Sequence, residues 1–378
     1  MKVVLEAQHA CTPDPRGIPV YTIELFKALL RRKTFDYSLT FFDKDKERNN
    51  RQYIDKYFGG FDVPKYECNT ISYRDLMYTP EQYKNCYYND MTGTEGDLYH
   101  FTHVNPVPSL LKGKMVVTLH DLLPLLFPMY FCDADREAFL NGLNTALDND
   151  AIIMADSLAT KKDIIREYGY DADKIHVVYL GYDKQLHYPD KDEKFLAEMG
   201  ITSPYMFYCG AIDMRKNILS TIDAFMMISK DFPELKLVLA GGECPNNAPI
   251  KKRLEELKDD RIITMGYISD EQKRKLMSGA TAFLFPSFYE GFGLPILEAM
   301  ACGCPVITSD VSSMPEVVGD AGILINPEST LELAEAMNKV VSSETLRRGM
   351  IEKGFLQAKK FSWDKTAEEV EEVYRKKY

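Results

Sequence analysis

The sequence lacks the cysteine patterns that bind zinc or form a disulfide framework. It holds 8 cysteines in 378 residues, but no two of them make a Cys-x-x-Cys pair, and Cys302 and Cys304 flank a single glycine. Zinc sites and disulfide scaffolds show paired or regularly spaced cysteines. We therefore expect reduced thiols and no metal site built on cysteine.

Long apolar runs and an apolar leader are also missing. The longest apolar stretch, 122–131, is interrupted by Pro124 and Pro128 and is shorter than the ~20 residues that span a bilayer as a helix. The sequence begins directly with a strand-like run at residues 2–5 instead of a signal segment. These features predict a cytoplasmic protein with no transmembrane segment.

Excess positive charge is absent. The formal net charge is -11 and the isoelectric point is near 5.2, whereas nucleic-acid binding depends on a basic surface. Nucleic acid is therefore not an expected partner. One local exception is a predicted first helix that mixes basic and apolar residues, and it is typical either of peripheral contact with the inner face of the plasma membrane or of ordinary packing with a solvated basic end. Its residues are Lys27, Arg31, Arg32 and Lys33, interleaved with Leu25, Phe26, Leu29 and Leu30.

Several motifs of other function classes are missing as well. There is no Gly-x-Gly-x-x-Gly run and no Walker lysine loop, which argues against dehydrogenases and kinases. Asp-x-Asp pairs occur at 43–45, 133–135 and 171–173, but a chain with 57 acidic residues contains such pairs by chance. His100 and His103 lack a third ligand nearby in the sequence, which favours structural roles. No metal site is predicted.

What the chain does contain is a regular alternation of short apolar runs and amphipathic stretches. This pattern predicts βαβ units around parallel sheets, and the length favours two domains. The sequence therefore predicts an α/β protein of two Rossmann-like domains facing across a cleft. The expected strands lie near 2–6, 37–42, 98–101, 115–119, 151–155 and 176–180, and near 205–209, 236–240, 261–264, 282–285, 306–308 and 322–325.

The domain limits follow from this division. We expect an N-terminal domain at 1–185, a C-terminal domain at 186–361, and a last helix at 362–378 that packs back on the N-terminal domain. The charged stretch 181–204 is interpreted as the linker. The tyrosine-rich segment 43–96 has weak periodicity and is expected to be an elaboration of the first domain.

The most informative segment runs from a strand end at Pro286, through a glycine loop, into a helix that starts near Pro295. Ligands of open parallel sheets lie beyond the carboxyl ends of the strands, and a helix N-terminus favours an anion. Glu290 in the loop and Glu298 in the helix are placed for a transferred sugar and for ribose hydroxyls. The bland alternative is a loop cap and a surface charge.

Basic residues follow another predicted strand. Arg215 and Lys216 come after 205–209, and Asn217 is a plausible N-cap for the next helix. At the same sheet edge the two cations are suited to neutralise a diphosphate leaving group. Adjacent basic residues in a loop are otherwise usually solvated.

The N-terminal half offers weaker signals. His120 and Asp121 end one predicted strand, and Gly17 opens the first helix. His120 is placed to contact the donor sugar across the cleft, and Gly17 would allow close approach of the backbone. A strand-end histidine satisfied by local hydrogen bonds is the alternative.

These motifs resemble family 4 of the retaining glycosyltransferases, which have the two-domain GT-B architecture. The chain is similar to bacterial mannosyltransferases and rhamnosyltransferases of O-antigen-like surface polysaccharide assembly. The likeness is strongest over 210–327, through 215–217, 266–270, the Glu290 and Glu298 pair, and 309–317. The N-terminal half matches through Gly17, His120 and 181–183.

The resemblance implies roles for single residues. Arg215 and Lys216 would bind the diphosphate, Glu298 the ribose and Tyr267 the base. The sugar hydroxyls would meet Glu290 and the backbone of Gly291, Phe292, Gly293 and Leu294, and His120 would support the transfer. The donor would be GDP-mannose first, then dTDP-rhamnose or a UDP-sugar, with a glycan or lipid-linked acceptor and neither cofactor nor metal.

The sequence also departs from the family. Relatives often carry Gly-Gly-Ile-Gly-Arg-Tyr where this chain has residues 16–21 with Pro19 and Val20, so a contact from that arginine is not expected. Two other classes stay open: a sugar-nucleotide epimerase or phosphorylase-like enzyme on the same fold, and a catalytically silent glycan-binding partner.

Overall fold

The computed structural model describes residues 1–44, 49–202, 204–242, 244 and 247–376. It contains two compact units: unit 1 holds residues 1–181 and the helix that begins at Trp363, and unit 2 holds residues 182–362. The division falls after Gly181, whereas the sequence suggests 185. Two parts of the predictions lie outside the described residues. They are residues 45–48 of the tyrosine-rich segment, of which residue 45 belongs to the 43–45 pair, and residues 377–378 of the predicted last helix.

Unit 1 is built on one parallel sheet with the order β3-β2-β1-β4-β5-β6-β7. Its strands are β1 Lys2–Glu6, β2 Asp36–Phe42, β3 Lys65–Cys68, β4 Leu98–Phe101, β5 Lys114–Leu119, β6 Ile152–Ala155 and β7 Ile175–Val177. Its helices before unit 2 are α1 Ile18–Arg32, α2 Asn50–Phe58, α3 Tyr73–Tyr78, α4 Tyr88–Thr92, α5 Leu123–Leu126, α6 Asp133–Asp148 and α7 Leu158–Tyr168.

Unit 2 repeats the plan, with the parallel order β10-β9-β8-β11-β12-β13. Its strands are β8 Tyr205–Cys209, β9 Lys236–Ala240, β10 Ile262–Gly266, β11 Ala282–Phe285, β12 Val306–Ser309 and β13 Ile323–Ile325. Its helices are α8 Glu193–Glu198, α9 Ile218–Ile228, α10 Ala248–Leu257, α11 Asp270–Gly279, α12 Leu294–Ala301, α13 Met314–Val318, α14 Thr330–Ser342 and α15 Glu344–Ala358.

The order of both sheets is the Rossmann order, in which the chain reverses its direction across the sheet beside the first strand. The reversal lies between β1 and β4 in unit 1 and between β8 and β11 in unit 2. Central strands such as β6 and β11 are buried at every residue, as expected for parallel strands covered on both faces. The prediction of an α/β protein with two Rossmann-like domains is confirmed.

The predicted linker 181–204 is wrong, because most of it is packed into unit 2. Leu196 of α8 is 6% exposed, and Arg274 of α11 pairs with Asp190 at 2.9 Å. The charges in this stretch suggest a solvated connection, but several of them are used to attach it to α11. Ser203 lies outside the described residues.

The tyrosine-rich segment forms α2, β3, α3 and α4 around the edge of the first sheet. Tyr88 and Tyr99 are each 1% exposed, and their hydroxyls bond to Thr40 Oγ1 at 3.0 Å and Asn89 Nδ2 at 2.6 Å. A buried tyrosine requires such a partner. The segment therefore contributes to a core of aromatic rings with polar ends. Because such residues are not purely apolar, the sequence shows only weak apolar periodicity there.

The last helix, α16 Trp363–Arg375, packs against α1 in unit 1. Its Glu371 is fully buried and accepts hydrogen bonds from Arg32 Nε and the Tyr37 hydroxyl, both at 3.0 Å. Arg31 pairs with Asp364 at 3.4 Å. The alternative of ordinary packing for the basic first helix therefore holds.

The apolar side chains that would enter a lipid surface from α1 are buried: Leu25, Phe26, Leu29 and Leu30 are at most 2% exposed. The prediction of membrane contact through this face of α1 is therefore wrong, because those side chains belong to the core. None of the helices formed by the described residues is both long and apolar enough to cross a bilayer.

Candidate functional site

The loops after β8 and β11 leave unit 2 at the carboxyl edge of its sheet, where the strand order reverses. These two strands are neighbours, so the loops start side by side. The loop after β8 leads through a short 3-10 helix, Met214–Lys216, to α9. The loop after β11 leads through residues 286–293 to α12. Parallel α/β sheets bind their ligands at this position.

The loop that carries Glu290 is fixed by hydroxyl groups from the segment after β12. Ser313 Oγ lies within hydrogen-bond distance of two carbonyl oxygens, of Glu290 at 2.9 Å and of Phe292 at 2.7 Å, and can donate its one proton to either. Ser309 Oγ donates to the carbonyl of Ser287 at 2.7 Å. Gly293 has a φ of +107° at the N-cap of α12, a region that favours glycine. The segment 309–317 was predicted only from its resemblance to the family, and its serines hold the glutamate loop in place.

Glu290 is brought together with both cations predicted near it. Lys216 Nζ donates a hydrogen bond to Glu290 Oε1, and Arg215 Nη1 lies 3.5 Å from the same oxygen. Arg215 Nη1 also donates to the carbonyl of Tyr289 at 3.1 Å. The side chains of all three charged residues are 12–15% exposed, so the cluster is desolvated but keeps access to solvent.

The charges of the cluster control each other. Burial raises the pKa of Glu290, but the cations of Lys216 and Arg215 outweigh burial and hold that pKa below its usual value. Burial lowers the pKa of Lys216, Glu290 opposes this change, and Arg215 adds to it. The carboxylate of Asp213 also raises the pKa of Lys216. Lys216 and Arg215 supply the charged donors that suit an incoming anion.

Glu298 belongs to a second cluster on α12. Lys273 Nζ of α11 lies 3.0 Å from Oε2, and His187 Nε2 lies 3.5 Å from Oε1. Burial raises the pKa of Glu298, but Lys273 and then His187 lower it, and the net pKa is below the usual value. Sequence reasoning missed both partners: Lys273 lies in a charged run of α11, and His187 in the predicted linker.

The other predicted residues of unit 2 occupy the same edge. Phe292 is 4% exposed, with its ring 5.9 Å from Phe361. Leu294 begins α12. Gly291 lies in the loop between Glu290 and Phe292. Tyr267, which is 56% exposed, follows β10 and precedes α11, the helix that supplies Lys273 to Glu298.

In unit 1, His120 follows β5 and is already engaged at both ring nitrogens. Nδ1 lies 2.6 Å from Asp156 Oδ2, and Nε2 lies 2.9 Å from the carbonyl of Thr102. Both partners are acceptors, so this geometry favours the imidazolium form, in which both nitrogens donate. Burial lowers the pKa of His120, but Asp156, the Thr102 carbonyl and Asp121 together raise it by more, and the net pKa is above its usual value. In that form His120 is a cation and a hydrogen-bond donor.

Gly17 caps α1 with φ +58° and ψ -119°, a conformation open mainly to glycine. Of the two histidines interpreted as structural, His100 is fully buried between the Tyr374 hydroxyl at 2.6 Å and Thr118 Oγ1 at 2.9 Å. His103 stacks on His120 with ring centroids 6.1 Å apart.

Known proteins resemble this chain in the sequence of unit 2 and in the fold. Residues 191–357 match the family Glycosyl transferases group 1. The O-antigen chain mannosyltransferase B of Escherichia coli is 31% identical over 272 residues, which are 69% of this chain and 70% of that protein. The chain belongs to the glycosyl transferase group 1 family, and it is a glycosyltransferase.

A second relative is the serotype-specific mannosyltransferase WbdA of Escherichia coli, 29% identical over 264 residues. The match covers 67% of this chain but 32% of WbdA, so the chain spans about a third of that protein.

Two solved structures share the GT-B fold. Sucrose-phosphate synthase from Thermosynechococcus elongatus has a TM-score of 0.74 at 22% identity, with 99% of this chain and 98% of that chain covered. Anabaena HepE in complex with UDP and glucose has a TM-score of 0.73 at 18% identity, with 99% of both chains covered. The predicted GT-B architecture is thereby confirmed.

Proposed function

We propose that the chain is a retaining glycosyltransferase that moves a hexose from a nucleotide-diphosphate sugar to a glycan or lipid-linked acceptor in surface polysaccharide biosynthesis. The observation that carries this proposal is the buried cluster of Glu290, Lys216 and Arg215, which lies where the strand order of unit 2 reverses between β8 and β11. A lysine and an arginine side by side, beside a loop held by serine hydroxyl groups, suit a diphosphate whose negative charge grows as the sugar leaves.

In this proposal unit 2 binds the donor and unit 1 the acceptor. Lys216 and Arg215 bind the diphosphate, and Glu290 accepts hydrogen bonds from sugar hydroxyls together with the loop backbone from Gly291 to Leu294. Glu298 accepts from the ribose, and Tyr267 packs against the base. Because Glu290 stays ionised, it remains an acceptor throughout the reaction.

The chemical step breaks the bond between the sugar C1 and the phosphate oxygen and forms a bond from C1 to the acceptor oxygen on the same face. The acceptor oxygen is itself the nucleophile, and its proton passes to the leaving phosphate, so no side chain acts as a nucleophile or as the base. Lys216 and Arg215 stabilise the leaving diphosphate, which is why we propose that no divalent metal is needed. The imidazolium of His120 supports the transfer as a fixed positive charge.

Mannose is the first candidate for the hexose, with rhamnose or glucose next. The two Escherichia coli relatives are mannosyltransferases by name, which favours GDP-mannose as donor over dTDP-rhamnose or a UDP-sugar. A lipid-linked acceptor would bring the protein to the cytoplasmic face of the plasma membrane.

For the acceptor we propose a cavity of about 280 Å³ in unit 1, at the tyrosine-rich segment. The rings of Tyr73 and Tyr78 line it, together with the cations Lys44 and Arg74. Aromatic faces suit sugar rings, and two cations suit a saccharide that carries phosphate or carboxylate groups.

The donor part of the proposal is tested by thermal denaturation of the purified protein with GDP, UDP, dTDP, ADP or NAD in the presence of EDTA. A ligand that binds the folded state raises the melting temperature. We expect stabilisation by one nucleoside diphosphate, GDP first. No shift with any diphosphate, or a shift with NAD alone, would contradict a donor site in unit 2.

Metal independence has its own measurement. Transfer assayed with EDTA should equal transfer assayed with Mg²⁺ or Mn²⁺. Activity lost in EDTA and restored by either ion would show that Lys216 and Arg215 do not suffice for the leaving group.

A further inference from the structure

A buried histidine nitrogen beside Glu298 lacks a hydrogen bond. His187 is 6% exposed, and its Nδ1 lies 3.2 Å from the carbonyl of Asp183, so Nδ1 carries a proton. Its Nε2 has no hydrogen-bond partner among the described residues, yet it lies 3.5 Å from Glu298 Oε1. A buried polar atom without a partner is costly, and the cost falls if Nε2 carries a proton directed at that carboxylate.

Lys273 takes the other oxygen of the same carboxylate. Its Nζ lies 3.0 Å from Glu298 Oε2 and 3.2 Å from Asp270, and its side chain is 17% exposed. Each oxygen of Glu298 thus faces one nitrogen. Since a carboxylate oxygen has two lone pairs, each oxygen keeps the capacity to accept one more hydrogen bond, and the side chain of Glu298 is 14% exposed.

We propose that His187 and Lys273 are positioning residues for the nucleotide: they fix the orientation of the Glu298 carboxylate and direct its remaining lone pairs at the ribose hydroxyls. This inference rests on the proposed donor site. The proposed ribose site would then consist of Glu298, His187 from the segment after Gly181, and Lys273 from α11. Neither residue touches the reacting atoms.

The competing explanation is structural. His187 and Lys273 would then only fasten the 182–192 segment and α11 to α12, and their loss would weaken every ligand of unit 2 alike. The two explanations differ in one quantity, which is the ratio of affinities for a nucleotide with ribose hydroxyls and for the same nucleotide without them.

The experiment compares dissociation constants for GDP and 2′,3′-dideoxy-GDP by calorimetry, or for UDP and 2′,3′-dideoxy-UDP if the thermal screen selects uridine. Wild type should bind the ribose form at least about tenfold more tightly, the scale of a hydrogen bond to a charged group. Lys273→Met and His187→Phe should each reduce this ratio at least about threefold, with the affinity for the dideoxy form unchanged.

Matched variants separate the possible outcomes. Lys275→Met removes the same charge from the same helix and should leave the ratio at its wild-type value, while Lys273→Arg should restore it. Equal losses for both nucleotides in Lys273→Met and His187→Phe would overturn the positioning role. A wild-type ratio near one, or an unchanged ratio in Glu298→Gln, would instead overturn the ribose site itself.

Discussion

Glu290 keeps its negative charge although it is buried, because Lys216 and Arg215 share one of its oxygens. A buried carboxylate without such partners would gain a proton. In the proposed reaction a protonated Glu290 would present a donor to hydroxyls that need an acceptor, and Lys216 would lose its fixed direction. The pair is therefore expected to act as one functional group.

Substitutions of Glu290 or Lys216 should impair transfer. Glu290→Gln and Lys216→Ala should each lower kcat/KM for transfer by ~100-fold or more, a loss of about 3 kcal/mol of transition-state stabilisation. Steady-state kinetics measure the loss, and melting temperatures check that the fold persists. Glu328→Gln, an exposed residue of unit 2, is the control. Near-normal turnover in either site variant would refute the assignment.

His120 gives a prediction about proton occupancy. Its raised pKa depends on Asp156, so Asp156→Asn should lower the pKa of His120, and the imidazolium should be lost at a lower pH than in wild type. Nuclear magnetic resonance of the ring carbons and nitrogens against pH measures the change. An unchanged titration would mean that Asp156 does not raise the pKa of His120.

Glu6, at the end of β1, predicts a pH dependence of stability. It is 4% exposed, and burial raises its pKa from 4.5 to about 8, although the Gln8 amide opposes this. The folded state then holds the proton more tightly than the unfolded state, so this group lowers stability as pH rises from about 5 to about 8.

Glu6→Gln removes that ionisation. The variant should exceed wild type in free energy of unfolding by about 3 to 4 kcal/mol more at pH 8 than at pH 5. Guanidinium denaturation at the two pH values, followed by Trp363 fluorescence, measures the difference. Parallel curves for the two proteins would show that Glu6 ionises without cost.

Sequence reasoning identified the charged residues of the site but not their pairing. Residue type and position after a strand are local properties, so Arg215, Lys216 and Glu290 could be selected from them. The contacts of Glu298 with His187 and Lys273 join residues far apart in the chain, and periodicity carries no information about such distances. Whether any of these residues binds a ligand stays a prediction.

At the scale of elements, burial decided which strands could be predicted. Central strands such as β5 and β8 are apolar runs because both of their faces are covered. The edge strand β3 has the sequence Lys-Tyr-Glu-Cys, with one buried residue, and was missed. The predicted strand at 176–180 also differs, because β7 ends at Val177.

The contact between α16 and α1 carries a stability prediction. Glu371→Ala would leave Arg32 and the Tyr37 hydroxyl without their buried acceptor, and should destabilise unit 1 by about 2 to 3 kcal/mol, toward the lower end for broken buried pairs because Arg32 is partly exposed. Guanidinium denaturation measures it, with the exposed Glu372→Ala as control. Equal midpoints for the two variants would contradict a structural role for Glu371.

At the scale of the molecule, the single tryptophan reports on one unit. Trp363 is 5% exposed, and its ring lies 6.0 Å from that of Tyr21, so its fluorescence follows unit 1, whereas circular dichroism follows both units. A nucleoside diphosphate bound to unit 2 at about 100 times its dissociation constant should stabilise that unit by about 2.7 kcal/mol. The dichroism curve should therefore shift more than the fluorescence curve. Equal shifts would mean that the units unfold as one cooperative system.

The return of α16 to unit 1 also bears on how the protein is made. On the ribosome the strands of unit 1 emerge first, but the helix that covers α1 and supplies Glu371 follows the whole of unit 2. Until translation passes residue 362, the nascent first unit has an uncovered apolar helix face and an unmatched Arg32. Such a surface is a target for chaperones, and unit 1 reaches its native state only after the sheet of unit 2 has been synthesised.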